Sequence, residues 1–498
     1  MMRNNTHIKF VLGALAGLTL SACQPATQTN NATEQQTQLS VKETKQKRQP
    51  NIIWIMADDM GYGDLGSYGQ QKIKTPRLDQ MAAEGIRFTD MYAGTTVCAP
   101  SRSVLMTGLH MGHTPVRGNA DKTIQTLAPE DVTVAEVLQD AGYSTALIGK
   151  WGLGDDGNTG LPNDQGFDYF FGYLNQVHAH NHYPDFLWRN KEKVALDNKV
   201  ELGPVAYMSF HGGVAKPENR KTYSSDLFYQ ESIDFIQQQK DNPFFLFVSL
   251  TSPHANNEAE KFDWAHGMEV PGYGIYKDLD WPEPAKGYAA MVSHIDQGVG
   301  QIMDTLKTQG LADDTIVIFT SDNGPHEEGG NDPYFFNSSG PFTGTKRALT
   351  DGGIRVPFIA WGPGLVPQGQ VSDHIGYFGD LMATALDVVD ASAHRPLDSV
   401  SMLPVFTGSD DQQQHDMVYF EFYEMGGIQA VRHGDYKAIR SPFFTGTIRL
   451  YNVNQDPKEQ IDIASQHPEL VAKIDKFMQQ AHVPDPRWQV VQGAAGRH

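Results

Sequence analysis

Residues 51–59 read NIIWIMADD, an apolar run from Ile52 to Ala57 that stops at two carboxylates, Asp58 and Asp59. A short run rich in β-branched and aromatic residues, bounded by turn formers, describes a strand buried on both faces. The pattern returns three times. YSTALIGKW (143–151) climbs through Ala146 to Ile148 and ends at Lys150. FFLFVSLTSPH (244–254) runs from Phe244 to Leu250 and ends near His254, and TIVIFTSDN (315–323) ends in Asp322 and Asn323. Helical periodicity lies between these runs, clearest from Lys286 to Thr308, where Tyr288, Met291, Val292, Ile295, Val299, Ile302, Met303 and Leu306 share a face. Alternating strands and helices predict an α/β sandwich, in which ligands bind at the carboxyl ends of the strands. Four runs then deliver their polar ends to one edge, which is the expected site.

Asp58, Asp59 and Asp322 are three carboxylates, and Asn323 adds an amide oxygen. Oxygen-only ligands suit a hard cation, and calcium takes roughly six to eight of them. Zinc would call for His or Cys at characteristic spacing, and no such motif is present. An isolated Asp-Asp pair reads as a strand-end turn or a helix cap. Matched by SDN at the end of a second strand, it reads as a metal site, because three close acids repel one another without a cation.

The chain has two cysteines, and only Cys98 lies in the folded part; it sits in GTTVCAPSRSVLMTG (94–108). With no disulfide partner there, it is a buried inert thiol, a reactive thiol, or a thiol converted into something else. Pro100 suits a first helical turn and Ser101 to Met106 continue it, so Cys98 falls at a helix N-terminus, where negative charge is favoured. Arg102, four residues on, shares its face.

The string C-A-P-S-R followed by LMTG resembles the signature of the formylglycine-dependent sulfatases. ADDMGYGDLGSYG (57–69), GKWGLG (149–154), SPHA (252–255), SDNGPH (321–326) and KRALTDGGIRVP (346–357) resemble that family's other segments in order and spacing. The resemblance implies an alkaline-phosphatase-like fold: a large mixed, mostly parallel sheet sandwiched by helices, with a small C-terminal antiparallel sheet-and-helix subdomain. It implies that a maturation enzyme oxidises Cys98 to formylglycine (3-oxoalanine), whose hydrate attacks sulfur with one hydroxyl and expels sulfate with the other. It also implies that Asp58, Asp59, Asp322 and Asn323 hold calcium together with the converted residue 98. Arg102 would steady that residue, Lys150 and Lys346 would neutralise sulfate oxygens, and His254 would protonate the leaving alcohol. One position departs. Where the family pattern commonly has histidine, this chain has Gly152. Glycine moves no proton, so His326 is the expected substitute.

The remaining organisation follows from composition. Residues 1–23 begin with Arg3 and Lys9, carry a short apolar run from Phe10 to Leu20 and end in LSAC at Cys23. This resembles a bacterial lipoprotein signal, which implies lipidation of Cys23 and, with Gln24 following, an outer-membrane anchor; an ordinary signal peptide is the alternative. Residues 24–48 read as a disordered tether, 49–410 as the catalytic domain and 411–498 as the C-terminal subdomain, with short strands from Met417 to Arg440 and a helix from Pro468 to Ala481. A formal net charge of −20 argues against nucleic acid as a partner. An exported enzyme meets extracellular polymers, which predicts a sulfated glycan as substrate. In VHAHNHYPDFLW (177–188), His178, His180 and His182 alternate, which places them on one side of an extended segment. That segment reads either as a sugar-binding wall containing His178 and His180 or as a loop packed on the core. With PHEEGGNDPYFF (325–336) it resembles carbohydrate sulfatases acting on galactose-type 4-O-sulfate, as in carrageenan fragments. A phosphonate or phosphodiester hydrolase of the same superfamily, or a glycan-binding lipoprotein with Cys98 unconverted, are the other classes.

Overall fold

The first apolar run lies at the centre of the molecule, paired in parallel on both sides with the runs that end at His254 and Asp322. The structure is a computed structural model that describes residues 49–120, 122–202, 212–239 and 242–490. The expected export segment with Cys23 and the 24–48 tether lie outside the described residues.

Ten strands form the main sheet. In chain order they are β1 (Asn51–Ala57), β2 (Ile86–Phe88), β3 (Ser144–Lys150), β4 (Tyr169–Tyr173) and β5 (Phe186–Arg189). There follow β6 (Glu192–Ala195), β7 (Phe244–Ser249), β8 (Thr315–Ser321), β9 (Phe358–Trp361) and β10 (Gln370–Ser372). Their order across the sheet is β10-β2-β9-β8-β1-β7-β3-β4-β5-β6. The four central strands β8, β1, β7 and β3 run parallel, so all four predicted runs end at one edge. Antiparallel pairings of β9 and of β5 and β6 make the sheet mixed, as expected.

Both faces are covered because the strand period is two. Ile52, Trp54 and Met56 of β1 enter one core, and Ile53, Ile55 and Ala57 enter the other. Helices α1 (Pro76–Ala83), α2 (Cys98–Thr107), α3 (Ser224–Gln238) and α4 (Glu283–Gln309) divide between the faces, α2 on the first and the rest on the second. α4 is the predicted periodic helix, ended by Gly310 in the left-handed conformation (φ 69°) that glycine adopts freely.

The C-terminal strands β11 (Val418–Phe422), β12 (Ile428–His433), β13 (Tyr436–Arg440) and β14 (Ile448–Asn452) form an antiparallel sheet with α5 (Pro468–Ala481). Phe420, Phe422, Ala430 and Ile439 join the first core, while Tyr419, Val431, Ala438 and Leu450 face Ile474 and Met478 of α5. An ionic tie reinforces the junction. Lys437 Nζ lies 2.6 Å from Asp351 and 3.0 Å from Glu459, all three side chains sealed from solvent. Burying such a cluster is stabilising only while it is complete. Lys437→Met strands Glu459 and leaves Asp351 to Arg355 alone, and should cost about 3–5 kcal/mol of unfolding free energy, read as a lower midpoint in urea. An unchanged midpoint would show that the tie is dispensable.

Candidate active site

The carboxylates converge because the parallel ladder carries them there. Asp322 N donates to Ala57 O at 3.1 Å, continuing the β1–β8 pairing, and Asp58 N donates to Ser252 O at 3.0 Å. Asp59 takes a left-handed backbone (φ 65°), unusual for a residue with a side chain, and its N–H reaches Asp322 Oδ1 at 3.0 Å. Asn323 Nδ2 donates to Asp59 Oδ1 at 2.7 Å. Helix α2 brings the thiol to this group, with Cys98 Sγ 3.4 Å from Asp58 Oδ1 and 4.0 Å from Asp59 Oδ1. Ser101, one turn on, accepts from Gly94 N and donates to Asp322 O at 2.6 Å, which fixes the helix against β8.

Three cations answer the three acids. Lys150 Nζ lies 2.7 Å from Asp58, Lys346 Nζ 2.8 Å from Asp59, and Arg102 2.9 Å from Asp322 and 3.8 Å from Asp58. Arg102 also donates to Lys150 O at 2.8 Å and to Ser249 Oγ, so the guanidinium is locked. Burial alone would raise the Asp58 carboxyl, but the Lys150 ammonium, with the Arg102 guanidinium, outweighs it and holds the group well below the usual range. Asp322 is pushed up to about 7, by burial first and then by the negative charge of Asp58. Burial and Asp58 also push the Cys98 thiol up, so as a cysteine it is a poor nucleophile. His254 is driven well below its ordinary value by burial and by Lys346, and its imidazole is neutral.

The donor set suits a hard divalent cation. Asp58, Asp59, Cys98 and His254 offer atoms within 4.8 Å of one another. The buried Asn323 Oδ1 has no hydrogen-bond partner among the described residues, which leaves it available as a ligand oxygen. A cation would also relieve the charge repulsion that raises Asp322.

Every expected residue of this group is at the edge, but the histidines need correction. Residues 177–182 are not extended. Asn175 Oδ1 accepts from Val177 N and His178 N and starts a helical turn, Gln176–Ala179, so the three histidines diverge. His178 is buried against Tyr173 and Phe186, away from the cleft, and His182 donates from Nε2 to His254 O at 2.9 Å. His180 alone of the three lines the cleft, a space of about 1040 Å³ that opens from Cys98. His326 is fully buried, with Nε2 donating to Pro253 O and Nδ1 accepting from Glu328 N, so neither nitrogen can meet a substrate or take a proton. At Gly152 (φ 81°) a Cβ would stand 3.2 Å from Gln176 Cγ; the side chain of Gln176 fills that space.

Two acids in the cleft wall were not anticipated. Glu328 bridges Lys346 at 2.9 Å and Arg347 at 2.6 Å; its position in PHEEGG, beside the metal segment, was the available signal. Glu258 contacts His180, and nothing in the local sequence marks it.

Asp322→Ala removes one of the oxygens that would hold a cation and leaves Arg102 facing Asp58 alone. It should weaken calcium binding by at least about 100-fold, measured by isothermal titration calorimetry on the purified chain. Unchanged calcium affinity would contradict the assignment of these oxygens.

Comparison with known proteins agrees with this geometry. The family model described as Sulfatase matches residues 50–391, and one described as N-sulphoglucosamine sulphohydrolase, C-terminal, matches residues 342–483. The N-acetylgalactosamine-6-sulfatase of Canis lupus familiaris is 32% identical over 415 residues, covering 78% of this chain and 71% of the relative. Arylsulfatase A of Homo sapiens is 31% identical over 473 residues, 90% of this chain and 85% of the relative. The crystal structure of Ps i-CgsB in complex with k-i-k-neocarrahexaose shares the fold, with a TM-score of 0.72 at 24% identity over 89% of this chain and 94% of that one. With a family match over most of its length and a relative 32% identical across 78% of it, the chain belongs to the sulfatases, enzymes that hydrolyse sulfuric esters.

Proposed function

We propose that this sulfatase removes sulfate from galactose-configured units of extracellular polysaccharides or their fragments, at O4. The observation that carries the reading is the cleft of about 1040 Å³ standing directly before Cys98 and Lys346. That volume is at the upper end for small-molecule sites and leaves room for sugars beyond the one bearing the ester. The name of one similar protein, N-acetylgalactosamine-6-sulfatase, and the k-i-k-neocarrahexaose in complex with another support a galactose-type sugar.

In this reading a maturation enzyme converts Cys98 to formylglycine, the reactive carbonyl that supplies the nucleophile. Asp58, Asp59, Asp322 and Asn323 would hold calcium, which would supply Lewis-acid polarisation. The chain's own residues do the rest. Arg102, locked by Asp322, Ser249 and Lys150 O, keeps position 98 oriented. Lys150 and Lys346 stand at the carboxylates and, with a cation held by those acids, would have charge available for sulfate oxygens. The net charge of −20 makes this local cationic cluster a requirement, because the global field repels an anionic ester. Export as a lipoprotein anchored through Cys23 places the enzyme where such polymers are met.

Two experiments test the reading. Cys98→Ala should abolish turnover while costing no more than about 1 kcal/mol of stability, read by free sulfate and by chemical denaturation. Retained turnover would refute a nucleophile at this position. On oligosaccharides sulfated at O2, O3, O4 or O6, beside aryl sulfate, phosphonate and phosphodiester controls, sulfate release is expected from the O4 ester of galactose. Release from O6 alone would move the site to the position named for the N-acetylgalactosamine relatives. Faster turnover of the phosphorus esters would make the chain a phosphonate or phosphodiester hydrolase.

A further inference from the structure

The C-terminal subdomain holds a second cavity, of about 470 Å³, apart from the cleft before Cys98. In a four-stranded meander the β11–β12 and β13–β14 turns lie at the same end, and here they pack together. Gly427 (φ 81°) permits this, since a Cβ there would stand 2.2 Å from Phe443 Cδ2. Tyr423, Phe443, Phe444 and Trp488 line the cavity with His482 and Asp485. The catalytic cleft lies across the first of these turns. Met425 lines the cleft, while Tyr423 and Gly426 to either side of it line the second cavity. Glu424 between them lies 3.9 Å from Arg347 of the cleft wall. One turn is therefore the ridge between the two spaces.

Backbone strain marks this ridge and the rim beyond it. Met425 (φ 56°) and Phe444 (φ 62°) hold left-handed conformations that bulky side chains rarely adopt. Among the described residues they are the two large apolar side chains so held, and they are 57% and 52% exposed. Strain that buries an apolar group can be offset by packing. Strain that holds one in water is not, which is the pattern of a ligand clamp. Beneath the rings lies a polar group. Fully buried Glu421 accepts from His482 Nδ1 at 2.7 Å, and Nε2 of that ring has no hydrogen-bond partner among the described residues. Phe443 and Phe444 stand edge-on to the imidazole, with centroids 5.8 and 4.9 Å away. Among the described residues no lysine or arginine lines the cavity, and its one carboxylate, Asp485, is paired with Arg487 at 2.7 Å.

We propose that this cavity is a saccharide subsite, which seats an unsulfated sugar ring of the same glycan whose sulfate ester lies in the cleft. Its volume falls within the roughly 300–1,000 Å³ of small-molecule sites. A galactose ring carries a face of C–H bonds that stacks on an aromatic ring such as Phe444, and its hydroxyls suit His482 Nε2 and the Asp485 carboxylate. The cleft has Lys150 and Lys346 to answer a sulfate; this cavity has no such cation, so it takes an uncharged ring. Continuity over the Met425 turn makes a sugar chain leaving the cleft the ligand that meets the cavity, with Met425 as the apolar ridge it crosses. The residues beyond Val490, VQGAAGRH, have one apolar side chain larger than alanine and match an aromatic cavity poorly. The inference rests on the glycan reading and extends it from the bond cleaved to the length of chain recognised.

The experiment uses the full chain with residue 98 converted and calcium bound. Its substrates are galactose 4-sulfate and galactan octasaccharides, otherwise unsulfated, that carry one such ester at either end. The quantity read is the ratio of kcat/KM on the better octasaccharide to kcat/KM on the monosaccharide. Phe444→Ala should lower that ratio by about tenfold, through KM and not kcat, and Phe444→Tyr, which keeps a ring, should restore it. An unsulfated galactan tetrasaccharide should inhibit the octasaccharide reaction and spare the monosaccharide reaction. A chain ending at Val490 should keep the parent's ratio. A ratio unmoved by Phe444→Ala, equal inhibition of both reactions, or a ratio that falls in the shortened chain and not in Phe444→Ala would overturn the proposal. A parent that releases sulfate from none of these esters would overturn the galactose reading of the cleft, and the subsite is then read by calorimetry with the unsulfated tetrasaccharide. Binding that Phe444→Ala weakens supports the subsite, and no binding, or binding that Phe444→Ala leaves unchanged, overturns it.

Discussion

Three carboxylates are buried within a few ångströms of one another at the end of β1 and β8, and the fold is arranged so that positive charge always stands among them. Each acid has its own cation from a different element: Lys150 from the end of β3, Arg102 from α2, and Lys346 from the loop before β9. Buried charge of this density is tolerable only when paired and hydrogen-bonded. In the proposed reading a divalent cation on the acids would free the lysines for an anionic substrate, so that structural compensation and substrate recognition would be one device.

The sheet explains why the device is rigid. Parallel pairing of β8, β1, β7 and β3 fixes four chain ends in register, and Arg102 reaches across them, bonding the end of β3, Ser249 at the end of β7, and Asp322 beyond β8. Cys98 enters through a helix that is itself tied to Asp322 O by Ser101. The C-terminal sheet adds a second buried ion cluster, Asp351–Lys437–Glu459, which secures the segment between Lys346 and β9 against the small subdomain.

Much of this was legible in the sequence because it depends on period and on strand ends. Runs of β-branched and aromatic residues marked the parallel strands, α4 was visible from its apolar spacing, and α5 was expected from Pro468 to Ala481. The clustering of Asp58, Asp59 and Asp322 was legible as a pair of matched strand ends. What sequence did not show was local direction. Alternation at His178, His180 and His182 implied a common side, but the Asn175 cap converts that stretch into a helical turn and only His180 reaches the cleft. His326 sits in a motif next to the acids, yet its backbone hydrogen bonds remove it from chemistry. Glu258 was invisible, since its meaning comes from a tertiary contact with a residue 78 positions away.

The central claim is that the thiol of Cys98 is a precursor and not the working group. Burial and neighbouring acids disfavour its thiolate. The most direct measurement is the mass of the proteolytic peptide that contains residue 98, taken from active enzyme made beside its maturation partner. Conversion to formylglycine predicts a peptide lighter by about 18 Da that no longer reacts with iodoacetamide. A fully active preparation in which every copy of that peptide keeps an intact, alkylatable cysteine would contradict the account.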